Sequence, residues 1–164
     1  MFSNTRTCTI SMFIVFLLII TGCQTLEPES REGHIDWRTL KEGKIEAGKR
    51  NMPALVDFYF GEGCHRCMVL QEKVYAVPEI AEKINRRFVP IRVSLADGYL
   101  SPEERQLMDR MGSGGECILL FLDQEGEVVE SEKGAPICSM SMIEHEQFLD
   151  YLDQALKELA NRKN

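Results

Sequence analysis

The sequence predicts an α/β domain, a mixed four-stranded sheet with helices on both faces, in the order α-β-α-β-α-β-β-α. Three observations carry this. Short branched and aromatic runs at residues 54–60 (ALVDFYF), 88–94 (FVPIRVS) and 117–122 (CILLFL) have strand character and alternate with segments of helical spacing. The turn DQEG at 123–126 joins the third run to a hairpin partner at 127–130, so the sheet is mixed rather than purely parallel. A chain of 164 residues, 44% hydrophobic and 27% charged, has material for one core and too little for two.

Each element has its own warrant. Asp36 reads as the cap of a first helix, with Trp37, Leu40 and Ile45 on one side and Gly48 and Pro53 closing it. The first strand, 54–60, is continuously apolar around one acid, Asp57, as a strand buried on both faces would be. Gly61-Glu62-Gly63 is a turn, and Cys64-His65-Arg66-Cys67 opens a helix reaching about Tyr75. Residues 78–87 form a second helical stretch, with Ile80, Ala81 and Ile84 inward. Pro90 sends the strand at 88–94 to a sheet edge or a bulge, because proline cannot donate to a ladder. Ser101-Pro102-Glu103-Glu104 is a capping box with proline at the first helical position. That helix carries Leu107, Met108 and Met111, and Gly112-Ser113-Gly114-Gly115 breaks it. Ser141 with Glu144 forms another capping box, opening a last helix to about Asn161 with Phe148, Leu149, Leu152, Ala155, Leu156 and Leu159 inward.

The N-terminal part reads as an address. Residues 1–22 have the form of a signal peptide: Arg6 supplies the positive region, residues 12–20 (MFIVFLLII) the apolar run, and no acid precedes Glu27. A membrane span needs about 20 apolar residues, so this run is too short to cross stably. Ile20-Thr21-Gly22-Cys23 resembles the bacterial lipobox, which implies lipidation of Cys23 and a membrane anchor. Residues 23–35 are polar, with Pro and Gly, and read as a tether; the domain is expected over 36–161. The net charge of −7 becomes −8 once the segment carrying Arg6 is removed, and no Lys/Arg-rich run occurs. Nucleic acid is thereby excluded as the main partner, since phosphate binding needs a basic face.

Chemistry concentrates in the cysteines, six in all. Cys64 and Cys67, three apart at a helix start behind a buried strand, lie on one side of the helix and can close a small disulfide. Unpaired N–H groups and the helix dipole there favour thiolate over thiol at Cys64. His65 and Arg66 add positive or polarisable character beside the attacking sulfur. A structural zinc site would need a second cysteine or histidine pair at similar spacing, which this chain lacks. His34 and His145 read as solvated, and Met140 with Met142 as core or cap contacts.

The stretches ALVDFYFGEGCHRC, VPEIAEKINRRFVPIRV and CILLFLDQEGEVV resemble the thioredoxin fold. More narrowly they are similar to envelope thioredoxin-like domains such as the C-terminal domain of DsbD-type thiol reductases, over about residues 37–160. The resemblance implies thiol–disulfide exchange in which Cys64 attacks and Cys67 resolves the mixed disulfide. It also implies protein or small-molecule disulfides and an upstream envelope electron donor as partners, and no resident cofactor.

Three positions depart from the family. Gly63 stands where the family has tryptophan. Asp57 matches the family's buried acid, although the connection to Cys64 is one residue longer; it reads as that acid or as a strand carboxylate near the surface. Cys117 takes the place of the cis-proline that helps dock substrate backbone, and a non-proline cis bond costs about 3 kcal/mol, so a trans peptide is expected there. Cys117 is then either a third sulfur at the CxxC or a buried small hydrophobe, and its pairing with Cys138 is topologically possible.

Three functions follow from these residues. The first is a lipid-anchored envelope thiol–disulfide oxidoreductase working reductively. The second is a soft-metal module that binds or delivers copper, zinc or an iron–sulfur cluster through Cys64, Cys67, Cys117 and His65. The third is a thioredoxin-fold adaptor of low activity.

Overall fold

The computed structural model describes residues 33–96, 98–110, 119–131 and 144–162. The elements run α1 (Leu40–Arg50), β1 (Ala54–Tyr59), α2 (His65–Leu70, continued by a π-helical turn Gln71–Tyr75), α3 (Pro78–Arg87), β2 (Val89–Ser94), α4 (Pro102–Asp109), β3 (Leu119–Leu122) and α5 (His145–Asn161). The sheet order is β2-β1-β3. β1 pairs parallel with β2, placing Asp57 beside Arg92, and antiparallel with β3, placing Asp57 opposite Leu119.

Strand alternation sorts the side chains into two cores. Leu55, Phe88, Leu119 and Phe121 face α2, its π-helical turn, α3 and α5, where they meet Leu70, Val74, Ile80, Ile84, Phe148 and Leu152. Val56, Phe58, Ile91, Val93, Leu120 and Leu122 face the other way, against Leu40, Ala47, Leu107 and Met108 of α1 and α4. Helices therefore cover both faces, as the alternation of strand and helix patterns predicts. α1 lies very close to β2: a Cβ at Gly43 would fall 2.2 Å from Ile91 Cγ1, so only glycine fits this crossing.

Several expectations are corrected, while that of Pro90 at a sheet edge holds. The first helix is capped by Thr39, not Asp36; Thr39 and Glu42 form the capping box, and Ile45 is 50% exposed instead of inward. The segment before it is extended instead, because Arg38 pairs with the outer edge of β2, donating to Pro90 O and accepting from Arg92 N–H, both at 2.9 Å. Pro90 sits on the outer edge of β2 for the same reason: Val89 N–H points inward to Pro53 O, so position 90, with no N–H to give, points out. The fourth strand forms no continuous ladder among the described residues: Val128 bridges Leu122, Glu130 is a second bridge residue, and the hairpin bonds are Asp123 N–H to Glu127 O at 2.9 Å and Val129 N–H to Phe121 O at 2.8 Å. The last helix begins at His145 with Glu144 at its cap; Ser141 lies outside the described residues. First and second strands also end up one residue shorter, leaving Phe60 43% exposed.

Ile35, placed by its sequence at the end of the tether, is 3% exposed and packs in the first core. Asn85 holds the adjoining backbone, accepting from Asp36 N–H at 3.0 Å and donating to His34 O at 2.7 Å. Among the described residues no helix is long and apolar enough to cross a membrane.

Candidate redox site

The site is built where β1 runs out. After Tyr59 the chain turns through Gly61, whose φ of 91° is the left-handed region, and Cys64 N–H closes the turn onto Gly61 O at 3.1 Å. Gly61 is buried against the loop that follows β2: a Cβ there would meet Ala96 Cβ at 3.3 Å. The turn delivers Cys64 to the cap position of α2, with extended backbone, while Cys67 lies one turn in.

Cys64 and Cys67 are joined as a disulfide, their Cα atoms 5.3 Å apart. The Cys64 sulfur accepts the Cys67 backbone N–H at 3.2 Å, so it occupies the place a serine or aspartate oxygen takes in an ordinary cap. Negative charge on this sulfur meets an N–H donor and the positive end of the helix. Cys64 is half-buried, and Cys67 is 3% exposed. His65 is exposed and Arg66 half-buried on the first turn. α2 then widens into the π-helical turn at Gln71–Tyr75, which swings Val74 and Tyr75 into the first core.

Asp57 is the one buried acidic or basic residue among the described residues, 3% exposed, which removes the reading of a near-surface carboxylate. It shares the face of β1 with Leu55, under α2. Arg92, its parallel neighbour on β2, donates from Nε to Asp57 Oδ2 at 2.9 Å, with Nη2 also 2.8 Å away. The Tyr75 hydroxyl lies in the field of the same carboxyl but off hydrogen-bond geometry. Burial raises the Asp57 pKa by more than the Arg92 charge, the Arg92 hydrogen bond and Tyr75 together lower it, so the carboxyl stands at about 6. Burial and the nearby Asp57 carboxylate push the Tyr75 phenol well up, and burial alone does the same to Tyr151.

The sequence reading missed Arg92 and the aromatic groups around it. Its guanidinium carbon stands 4.1 Å above the Trp37 ring, 5.1 Å from the Tyr59 ring and 6.0 Å from that of Tyr75. A signal existed: ALVDFYF and FVPIRVS are apolar strands with one charge each, of opposite sign. Only the parallel register brings the two together.

Cys23, Cys117 and Cys138, with Met140 and Met142, lie outside the described residues. The soft-metal reading depends on Cys117. Among the described residues, no three His, Cys, Asp or Glu side chains gather in a group able to hold a metal.

Known proteins place this geometry. The solved DsbH oxidoreductase superposes with a TM-score of 0.58 at 18% identity, covering 76% of this chain and 85% of that one. A thioredoxin from Thermus thermophilus gives 0.58 at 21% identity, over 79% of this chain and 93% of its own. The reduced C-terminal domain of DsbD from Neisseria meningitidis gives 0.52 at 18% identity, over 71% and 93%. The fold is therefore that of thioredoxin. The profile of the family described as "Thioredox_DsbH: Protein of unknown function, DUF255" matches residues 26–161, and by that match this chain belongs to that family.

Proposed function

We propose that the protein is a thiol–disulfide oxidoreductase of the bacterial envelope, lipid-anchored through Cys23, facing the periplasm and working in the reductive direction. The observation that carries the reading is the Cys64–Cys67 disulfide at the start of α2, with the half-buried sulfur at the helix cap and its partner covered. Similarity to the DsbH oxidoreductase and to the DsbD domain supports the chemistry.

In the dithiol form, the Cys64 thiolate attacks one sulfur of a substrate disulfide; that bond breaks and its other sulfur leaves as a thiolate. A mixed disulfide now joins Cys64 to substrate. Cys67 loses its proton and attacks the Cys64 sulfur, so the second substrate thiolate leaves and the Cys64–Cys67 disulfide forms. Two electrons pass to the substrate, and an upstream envelope dithiol returns them. Asp57, with a pKa of about 6, is suited to take and return the Cys67 proton near neutral pH. His65 and Arg66 favour the Cys64 thiolate, and substrate docking is assigned to the position of Cys117.

Two experiments test this reading. The purified domain, with dithiothreitol as donor, is expected to accelerate insulin reduction well above dithiothreitol alone; an unaccelerated rate removes the enzymatic reading and leaves an adaptor. Cys23→Ala in the full chain is expected to move the protein from the membrane fraction to the soluble envelope fraction, and unchanged membrane association contradicts the anchor.

A further inference from the structure

Asp57 has a half-buried counter-ion that takes no part in the exchange itself. Arg92 is the only cation within hydrogen-bond reach of Asp57 among the described residues, and its side chain is only 22% exposed. Its plane is fixed from outside the CxxC helix. Trp37 covers the guanidinium at 4.1 Å, Tyr59 flanks it at 5.1 Å, and Trp37 in turn meets Tyr75 edge-on at 5.3 Å. Trp37 owes its position to the neighbouring residue: Arg38 bonds on both sides to the outer edge of β2, at Pro90 O and Arg92 N–H, so the tryptophan cannot slide along the strand.

We propose that Arg92 is a positioning residue for the buried Asp57 carboxyl, held in plane by Trp37 and Tyr59, so that the segment preceding α1 belongs to the proton machinery of the redox site. The proposal rests on the reading of Asp57 as the acid that serves Cys67. An arginine suits this place better than a lysine, since its planar fork stacks on a ring and offers an N–H edge to the carboxylate at once. The groups facing Asp57 are few: Arg92 from β2, Tyr75 from the π-helical turn with Tyr151 of α5 beyond it, and the apolar Leu119 from β3. Removing Arg92 therefore leaves the carboxylate with a phenol and burial, and burial favours the protonated acid.

The test is the titration of the Asp57 carboxyl carbon, followed by NMR in the oxidised full domain. Arg92→Gln is expected to raise the midpoint by roughly one pH unit or more, tenfold in proton affinity. Arg92→Lys, which keeps the charge and loses the plane, is expected to recover part of that shift. Trp37→Leu, which leaves both charges in place, is expected to raise the midpoint by a few tenths of a unit. An Asp57 midpoint unchanged in Arg92→Gln, or in Arg92→Lys and Trp37→Leu should the glutamine variant fail to fold, overturns the proposal. The pH profile of insulin reduction separates it from the reading beneath it. A profile that moves upward with the NMR midpoint supports both. A midpoint that moves while the profile stays still supports the assignment of Arg92 and removes Asp57 from catalysis.

Discussion

Cys64→Ser brings dithiothreitol-driven insulin reduction down to the rate of dithiothreitol alone, whereas Cys67→Ser stalls with substrate covalently attached to Cys64. The asymmetry follows from access and charge. Attack on a substrate disulfide requires the incoming sulfurs to reach the nucleophile in line, and Cys64 is half-buried at the mouth of the helix while Cys67 is 3% exposed. The Cys64 sulfur also accepts an N–H at 3.2 Å, a bond that strengthens when sulfur carries charge. Its thiol pKa is therefore expected below the ordinary value of about 8.5, readable as the pH dependence of alkylation. Removing Cys67 leaves that first attack intact and deletes the second, so mixed disulfides accumulate and appear on non-reducing gels. Trapping by Cys64→Ser instead would reverse the roles.

Asp57→Asn makes the oxidised protein more stable than wild type at pH 8, and the advantage shrinks as pH falls to 4. The sign comes from the direction of the shift. The folded pKa, about 6, lies above the unfolded value near 3.8. Between those two values the native state binds more protons than the unfolded chain, so rising pH removes stability; above the folded pKa the deficit is constant. The displacement corresponds to about 2–3 kcal/mol at pH 8, an order-of-magnitude figure for so buried a group. Asparagine copies the shape of the neutral acid, so at pH 4, where wild type holds Asp57 protonated, the two proteins nearly coincide. Arg92 is not stranded by the change, because Trp37 still covers it and part of its side chain reaches solvent. Urea unfolding at pH 4, 6 and 8 measures the difference, from which every other titrating group cancels. A difference independent of pH, or one that grows on acidification, contradicts the assignment.

How far the sequence spoke depended on the distance over which each signal acts. Pro78–Arg87 and the Ser101–Glu104 box were legible residue by residue, because a cap and a helical apolar face are local. The CxxC was legible for the same reason, as was the turn at Gly61. The first helix was misplaced by three residues. Asp36 is a good cap in isolation, but Arg38 finds its partners on β2, 52 to 54 residues onward, and Thr39 takes the cap instead. Ile45 follows from that rotation of the helix. Asp57 was visible as an acid in an apolar strand, yet its burial could be settled only by what lies beside and above it. Arg92 needed the parallel register, and Trp37 needed the edge pairing that fixes it, both products of tertiary packing rather than of periodicity.

The central claim is that Cys64–Cys67 is a working redox couple and not a structural staple. Its reduction potential tests this most directly, measured by equilibrating the domain with dithiothreitol and glutathione buffers and reading the state of these two cysteines by alkylation and peptide mass spectrometry. The account predicts a single two-electron transition between about −270 mV, the value of thioredoxin, and about −120 mV, that of DsbA, nearer the former for a reductase. A potential below about −300 mV, the range of structural disulfides, with no exchange on the timescale of minutes, would contradict it.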